Sequence, residues 1–271
     1  MDRQEMKKQF VCLLSILLFF FSCQTVPITG RQQLSLIPSE RILSMSFQSY
    51  SEYLSKHTII TDNEDARMVK RVGQRIQHAV EQYFSDHNMR NRLQGYKWEF
   101  NLIADKSINA WCMSGGKVAV YTGILPVAKN ETGIAVVMGH EISHAVAKHG
   151  DERMSQGLIT QMGGMLLADA LSQKPKETAN LFLAAYGLGT QVGVLLPYSR
   201  VQESEADRLG LIFIAMAGYD PREAVDFWQR MSKAKQGASP PEFLSTHPAD
   251  VNRIRNIEQL IPEAMTYYRK Q

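Results

Sequence analysis

Two histidines and a glutamate within five residues form the pattern with the most chemical content in this sequence. Residues 140–144 read His-Glu-Ile-Ser-His, in an apolar stretch that follows Asn130, a typical helix N-cap, and ends near Gly150. Side chains four positions apart on a helix share a face, so His140 and His144 can direct imidazole nitrogens at one metal ion. Zinc suits such ligands.

Glu141 differs in direction from the two histidines. At 3.6 residues per turn it is rotated by about 100° from His140, so it flanks the ion and could accept a proton from a metal-bound water. The alternative is a core helix with two satisfied histidines, but apolar packing gives no reason for this pattern. His149, nine positions past His140, is predicted to lie on the opposite face as a solvent-facing residue at the helix C-terminus.

The third metal ligand must come from elsewhere, because a catalytic zinc has three protein ligands and one open position. The best candidate is the cluster Glu203-Ser204-Glu205-Ala206-Asp207, which opens another apolar stretch. If this cluster is helical, Glu203 and Asp207 share a face, so that one could bind zinc and the other could hold a zinc histidine by its second nitrogen. Glu205 points elsewhere on this interpretation. A solvated acidic first turn is the alternative.

The two motifs together resemble the zinc endopeptidases of the family that contains HtpX, BepA, LoiP and the Ste-type (CAAX prenyl) proteases. Further matches, in the expected order between about residues 100 and 260, are Asn109-Ala110 with Gly115-Gly116, Pro197-Tyr198-Ser199-Arg200, Thr246-His247-Pro248 and Arg253-Ile254. Within this family, the chain is most similar to the BepA and LoiP branch, without the tetratricopeptide array of BepA.

The resemblance implies a set of site residues. These are the zinc ligands His140, His144 and Glu203, the general base Glu141, and Asp207 as the partner of a zinc histidine, with one Zn²⁺ per chain. His247 and Arg253 match positions near the zinc and are expected to be catalytic. The histidine would approach the metal or stabilise the oxyanion, and the arginine would help to hold the site.

The surrounding pattern is mainly helical with a small sheet. Helices are predicted from Ser39 and over about 62–87, a strand at 96–103, two short strands at about 108–113 and 117–122, and helices from Thr132 almost to the end. Together with the resemblance, this predicts an α+β fold, a mainly helical zincin (gluzincin-like) metallopeptidase domain with one small antiparallel sheet.

The strand at 117–122 is predicted to be an edge strand of the sheet, and the resemblance implies that this edge borders the active-site cleft. An ordinary sheet strand without a free edge is the alternative. By the resemblance, an extended substrate can add to this edge through backbone hydrogen bonds. Val118, Val120 and Asn109 are therefore expected to bind substrate. The weakly charged stretches 154–168 and 178–199 are expected to form a helical hairpin beside the cleft, with a membrane span as the alternative.

The N-terminus has the features of an export signal. Basic residues precede an apolar run at 10–21, and Ser22-Cys23 after it resembles a bacterial lipoprotein box. The expected organisation is a lipoprotein signal peptide at 1–22, a lipid-anchored tether at 23–38 and a zinc metallopeptidase domain at 39–271. The expected location is the bacterial cell envelope, at the outer membrane facing the periplasm. Ordinary signal cleavage and an uncleaved anchor are the alternatives.

Composition narrows the function further. The 271 residues contain 30 Lys+Arg and 27 Asp+Glu, a net charge of +3, so the basic footprint of a nucleic-acid-binding protein is missing.

The predicted function is zinc-dependent hydrolysis of unfolded or misassembled envelope proteins. The expected partners are those substrates, the membrane through a lipid on Cys23, and envelope assembly machinery, with no nucleic acid. The alternative is a chaperone-like assembly factor with a latent or structural zinc.

Overall fold

The structure is a computed structural model that describes residues 23–172, 174, 176–191, 195–234, 241–248 and 251–268. The predicted signal peptide at 1–22 lies outside the described residues. The helices are α1 (Ser39–Lys56), α2 (Glu64–Asp86), α3 (Leu125–Ala128), α4 (Glu131–Val146), α5 (His149–Ala170), α6 (Lys176–Thr190), α7 (Leu196–Met216), α8 (Glu223–Ala234), α9 (Phe243–Thr246) and α10 (Val251–Met265). The strands are β1 (Cys23–Thr25), β2 (Gln32–Leu34), β3 (Ile59–Ile60), β4 (Glu99–Ile103), β5 (Ala110–Met113) and β6 (Lys117–Tyr121). The predicted α+β class is confirmed.

Helix α2 illustrates how local sequence sets an element. The side chain of Asn63 accepts a hydrogen bond from the backbone N–H of Ala66, which caps the helix, and acidic residues occupy the first turn. The apolar positions of the helix recur at three and four residues and most of them are buried, including Val72, Ile76 and Phe84. This stripe packs into the main core against α4, β4 and α7.

The four-stranded sheet has the order β3-β4-β6-β5. β4 and β6 run parallel, whereas the other two pairs are antiparallel. The prediction of a purely antiparallel sheet is therefore wrong. So is the prediction that residues 117–122 form its edge, since β6 is paired on both sides and the edge on this side is β5. β5 and β6 have similar sequence patterns, so only their pairing in the folded sheet decides which of them is central.

The backbones of helices α4 and α7 lie close together where the two helices cross. A Cβ atom placed on Gly139 of α4 would lie 2.5 Å from Cγ2 of Ile214, and one on Gly210 of α7 would lie 3.0 Å from the backbone nitrogen of His140. Every residue of α4 from Gly133 to Val146 is buried. The two glycines therefore permit a backbone approach that brings the motif at 140–144 and the cluster at 203–207 together.

The segment expected to be a tether is folded onto the domain. β1 and β2 pair in antiparallel register as a hairpin, and Val26 between them is 1% exposed within the main core. We call residues 23–34 the N-terminal hairpin. Its Arg31 forms ion pairs with Glu152 and Glu205. The short, Pro- and Gly-containing sequence indicates irregular structure, but Glu152 and Glu205, which bind Arg31, lie more than a hundred residues away.

The expected helical hairpin corresponds to α5 and α6. They pack against each other, with the hydroxyl of Tyr186 donating to the carbonyl of Thr160 at 3.1 Å. Several large apolar side chains of these helices are exposed, among them Leu166 and Leu181. Among the described residues, no helix combines the length and the hydropathy needed to cross a membrane.

We expect Gly139→Ala to destabilise the protein by about 1–3 kcal/mol, because the added methyl group would force α4 and α7 apart. Gly157→Ala in α5 is the control, since a Cβ atom there meets nothing within 4 Å. It should stabilise by up to about 1 kcal/mol through helix propensity. Urea denaturation measures both. Equal stability of the two variants would contradict the importance of the α4–α7 contact.

Candidate metal centre

Four side chains from three parts of the chain converge in the core of the site. One ligand atom from each of His140, His144, Glu203 and His247 lies within 4.8 Å of the others. Nε2 of His140 is 3.1 Å from Nε2 of His144. The Glu203 carboxylate lies 3.3 Å from the first of these atoms and 3.2 Å from the second. The structure thus brings together the three residues that the sequence analysis predicts to be zinc ligands.

The donor set fits a metal ion. Two imidazole nitrogens and a carboxylate face one another from buried positions, so their lone pairs converge on one point, which a shared cation would satisfy. Two histidines, one glutamate and one further position suit tetrahedral Zn²⁺. Burial alone would raise the pKa of Glu203, but hydrogen bonds with the three histidines hold it well below its usual value.

Asp207 and Arg253 hold His140 from behind. Oδ1 of Asp207 lies 3.0 Å from Nδ1 of His140, which leaves Nε2 of that ring for the metal. The guanidinium of Arg253 donates to both carboxylate oxygens of Asp207 at 2.8 and 2.9 Å. It also lies 3.1 Å from Glu203 and 3.5 Å over the ring of Trp228. Arg253 therefore contacts both carboxylates of the site, and its role in holding the site stays a prediction.

Glu141 lies beside the cluster without joining it. It is 4% exposed, and its Oε1 atom has no hydrogen-bond partner among the described residues. Burial raises the pKa of this carboxyl group, which brings it closer to the range in which a general base works. A buried carboxylate oxygen that makes no hydrogen bond is costly, and this one lies beside the ligand cluster, 3.4 Å from Nε2 of His247.

His247 occupies a ligand position. Its Nδ1 atom lies 3.2 Å from Nε2 of His140 and 3.0 Å from each oxygen of Glu203, and its Nε2 atom lies 3.4 Å from Oε1 of Glu141. The ring also stacks on Phe243 with centroids 4.6 Å apart. The structure places His247 next to the predicted metal ligands, and its two predicted roles, approaching the metal and stabilising the oxyanion, stay predictions.

Sequence reasoning missed a second histidine pair. His149 is fully buried, and its Nδ1 atom lies 2.9 Å from Nδ1 of His144, while its Nε2 atom lies 3.1 Å from Glu205. The prediction of a solvent-facing His149 assumed one continuous helix and is wrong. The chain breaks after α4 with Lys148 in the left-handed region (φ 60°), and this break turns His149 back towards His144. Glu205 is likewise buried. Burial alone would raise the pKa of its carboxyl group, but hydrogen bonds from His149, Arg31 and Thr29 lower that pKa to about 2.

The predicted substrate contacts require correction. Val118 and Val120 are fully buried in the central strand β6, where both backbone edges are paired, so they cannot pair with a substrate. Asn109 lies just before β5, and its side chain accepts a hydrogen bond from the N–H of Ala110. A groove of about 390 Å³ runs beside the edge strand instead. It is lined by Cys112, Met113, His144, Arg153 and Met154, among others.

The fold and the site define a zincin-type metalloendopeptidase, in which one helix supplies two histidines and a second helix supplies a glutamate. Residues 70–261 match the model of peptidase family M48, and the chain belongs to this family. The chain is 33% identical to mitochondrial metalloendopeptidase OMA1 of Schizosaccharomyces pombe, covering 91% of this chain and 68% of that protein. The predicted class, a zinc metalloendopeptidase, is confirmed.

Two further relatives show the breadth of the family. The human mitochondrial metalloendopeptidase OMA1 is 29% identical over 93% of this chain and 48% of its own length. The beta-barrel assembly-enhancing protease of Escherichia coli is 32% identical over 58% of this chain and 33% of its own length. The chain therefore spans about a third to two thirds of the length of these relatives. The OMA1 proteases and the E. coli protease match this chain at similar identity. These matches establish family M48, but they do not establish the BepA and LoiP branch within it.

The predicted location in a bacterial envelope, lipid-anchored at Cys23, is wrong. The OMA1 relatives, from yeasts, a plant and mammals, are mitochondrial proteins. The prediction depended on a short apolar run followed by Ser-Cys. The hydrophobicity and the length of such a run do not specify the membrane to which a chain is sent.

We expect removal of metal by a chelator to lower the melting temperature, and Zn²⁺ to restore it. Zinc at about 100 times its dissociation constant should add about 2.7 kcal/mol. Glu203→Gln should weaken zinc binding at least about tenfold, because a charged ligand is lost. Glu258→Gln, a change at an exposed glutamate of α10, is the control. Full zinc occupancy in Glu203→Gln at limiting metal would place the third ligand elsewhere.

Proposed function

We propose that this chain hydrolyses peptide bonds in extended segments of unfolded or misassembled proteins, with one Zn²⁺ held by His140, His144 and Glu203. The observation that carries this proposal is the buried Oε1 atom of Glu141, which makes no hydrogen bond among the described residues and lies beside the ligand cluster, 3.4 Å from Nε2 of His247. When bound, zinc would polarise the peptide carbonyl and lower the pKa of the attacking water. Each remaining step can be assigned to a residue of the chain.

Glu141 is suited to accept the proton of the attacking water. Its Oε1 atom makes no hydrogen bond among the described residues and can accept this proton, and its pKa is raised by burial. The same carboxyl group can then return the proton to the leaving amine, as a general base that becomes a general acid. Asp207 and Arg253 keep His140 in the tautomer and orientation that the reaction needs.

The edge of β5 is suited to bind the substrate backbone. Among the described strands, only β6 pairs with β5, so its other edge is available for an added strand. Cys112 and Met113 of this strand line the groove that reaches His144. Backbone pairing requires an extended chain, so this geometry favours unfolded segments over folded surfaces. We therefore propose that an extended substrate adds to the edge of β5, and not to β6 as the sequence predicts.

A second candidate function is a chaperone-like assembly factor with a latent metal site. It is favoured by His247, which lies within the ligand cluster where a water would otherwise be needed. The E. coli relative is named a beta-barrel assembly-enhancing protease, and that name joins proteolysis to assembly for that protein. The two functions differ in whether binding of an unfolded chain ends in cleavage.

Glu141→Gln separates the two candidate functions. If Glu141 is the general base, this variant should bind zinc like the wild type and cleave an unfolded protein such as casein about 10²–10⁴ times more slowly. Zinc content and the appearance of fragments measure the two effects. Retained zinc with unchanged cleavage would remove Glu141 from the mechanism. Suppression of aggregation by the wild type without any cleavage would favour the chaperone-like factor.

His247→Ala tests whether this residue closes the site. We expect cleavage of an unstructured peptide to rise several-fold while zinc remains bound, because the other three ligands are unchanged. The double variant with Glu141→Gln is the control, and it should be inactive. A loss of cleavage in His247→Ala with zinc retained would instead support a catalytic role, such as stabilising the oxyanion.

A further inference from the structure

A buried chain of hydrogen bonds leads away from the metal centre on the side of His144. It begins with the contact of 2.9 Å between Nδ1 of His144 and Nδ1 of His149. It continues with the contact of 3.1 Å between Nε2 of His149 and the carboxylate of Glu205. None of these three side chains is more than about 6% exposed, so water does not compete for their hydrogen bonds.

This chain permits one arrangement of protons when His144 binds a metal through Nε2. The proton of His144 is then on Nδ1 and is donated to Nδ1 of His149. His149 therefore has its own proton on Nε2, from which it donates to the Glu205 carboxylate. Glu205 thus fixes the tautomer of His149, and His149 fixes both the tautomer and the ring orientation of His144. On the other side of the site, Asp207 does the same for His140.

Glu205 is held by the N-terminal hairpin. Arg31 donates to both of its carboxylate oxygens at 3.0 Å, and the hydroxyl of Thr29 donates to Oε1 at 2.7 Å. Arg31 also donates to both oxygens of Glu152 at 2.8 Å. Glu152 is 1% exposed, so one guanidinium from the hairpin compensates two buried carboxylates. Without it, both carboxylates would face each other in a site of low polarity.

The hairpin is docked by contacts other than these ion pairs. Val26 is buried in the main core, and the carbonyl of Thr25 accepts a hydrogen bond from the guanidinium of Arg92. Just after the hairpin, the backbone N–H of Leu36 donates to the hydroxyl of Ser155 in α5 at 3.0 Å. The hairpin precedes residues 70–261, which match the family model. The hairpin reaches the metal ligands through two intermediate side chains, Glu205 and His149.

We infer that the N-terminal hairpin is part of the metal centre, because Arg31 and Thr29 hold Glu205, Glu205 holds His149, and His149 holds the metal ligand His144. Thr29, Arg31, His149 and Glu205 are positioning residues. Their effect is on the affinity and the geometry of the metal site. The inference rests on the metal site proposed above, but it does not depend on which substrate is cleaved.

The test measures metal binding in the full chain. His149→Phe keeps an aromatic ring but removes both hydrogen bonds, and we expect it to weaken Zn²⁺ binding about 10–100-fold in competition with a chelator. Arg31→Met should weaken binding about tenfold. In both variants the visible absorption spectrum of the Co²⁺-substituted protein should change, because His144 is no longer held in one orientation.

The matched control is Arg230→Met. Arg230 has a side-chain exposure of 18%, against 20% for Arg31, and it pairs with Glu223 and with the carbonyl of Val127. We expect Arg230→Met to lower the stability of the metal-free protein, as Arg31→Met does. Unlike Arg31→Met, it should leave the zinc affinity and the Co²⁺ spectrum at their wild-type values. If Arg31→Met does not fold, Thr29→Val removes one hydrogen bond to Glu205 and should give a smaller change in the same direction.

Several outcomes would overturn the inference. Wild-type zinc affinity and an unchanged Co²⁺ spectrum in both Arg31→Met and His149→Phe would do so, as would an equal loss of affinity in Arg230→Met. Failure of the wild type itself to bind zinc would refute the metal site on which the inference depends. Zinc binding without casein cleavage would refute the proposed peptidase function alone.

Discussion

The close approach of α4 and α7 is the contact on which the rest of the site depends. Gly139 and Gly210 allow the two backbones to meet where a Cβ atom would collide. As a result, His140 on one helix lies within 3.3 Å of Glu203 on the other. The same approach buries an acidic and a basic group side by side in an apolar core, where charges are stable only when they are paired or bound to a metal.

The buried charges are organised in two branches that leave the ligand cluster in different directions. Behind His140, the pair of Asp207 and Arg253 connects the cluster to α10. Behind His144, the pair of His149 and Glu205 connects it to the N-terminal hairpin. Each branch ends in an arginine, which remains charged at any physiological pH and forms bidentate contacts with carboxylates. The histidines are therefore oriented by rigid partners on both sides, which is what precise metal coordination requires.

Three structural errors in the sequence analysis share one physical origin. The exchange of edge strands, the misplaced His149 and the docked hairpin all concern partners that are distant in sequence or follow a break in a helix. β5 and β6 both alternate in a similar way, and only their pairing shows that Val118 and Val120 face no free edge. The break at Lys148 is one residue in the left-handed region, which lysine rarely adopts, so no local signal announced it.

The sequence by itself determined the family resemblance and the α+β class, and it predicted the helix-borne ligands and the general base. These properties depend on spacing within a single helix and on local periodicity, and both can be read from neighbouring residues. Tertiary structure alone decided that Glu205, Arg31 and His149 are linked to His144 by hydrogen bonds, that His247 lies among the candidate ligands, and that β5 is an edge strand of the described sheet. These contacts join residues up to 176 positions apart, and burial and backbone pairing, rather than local preference, decide which of them form.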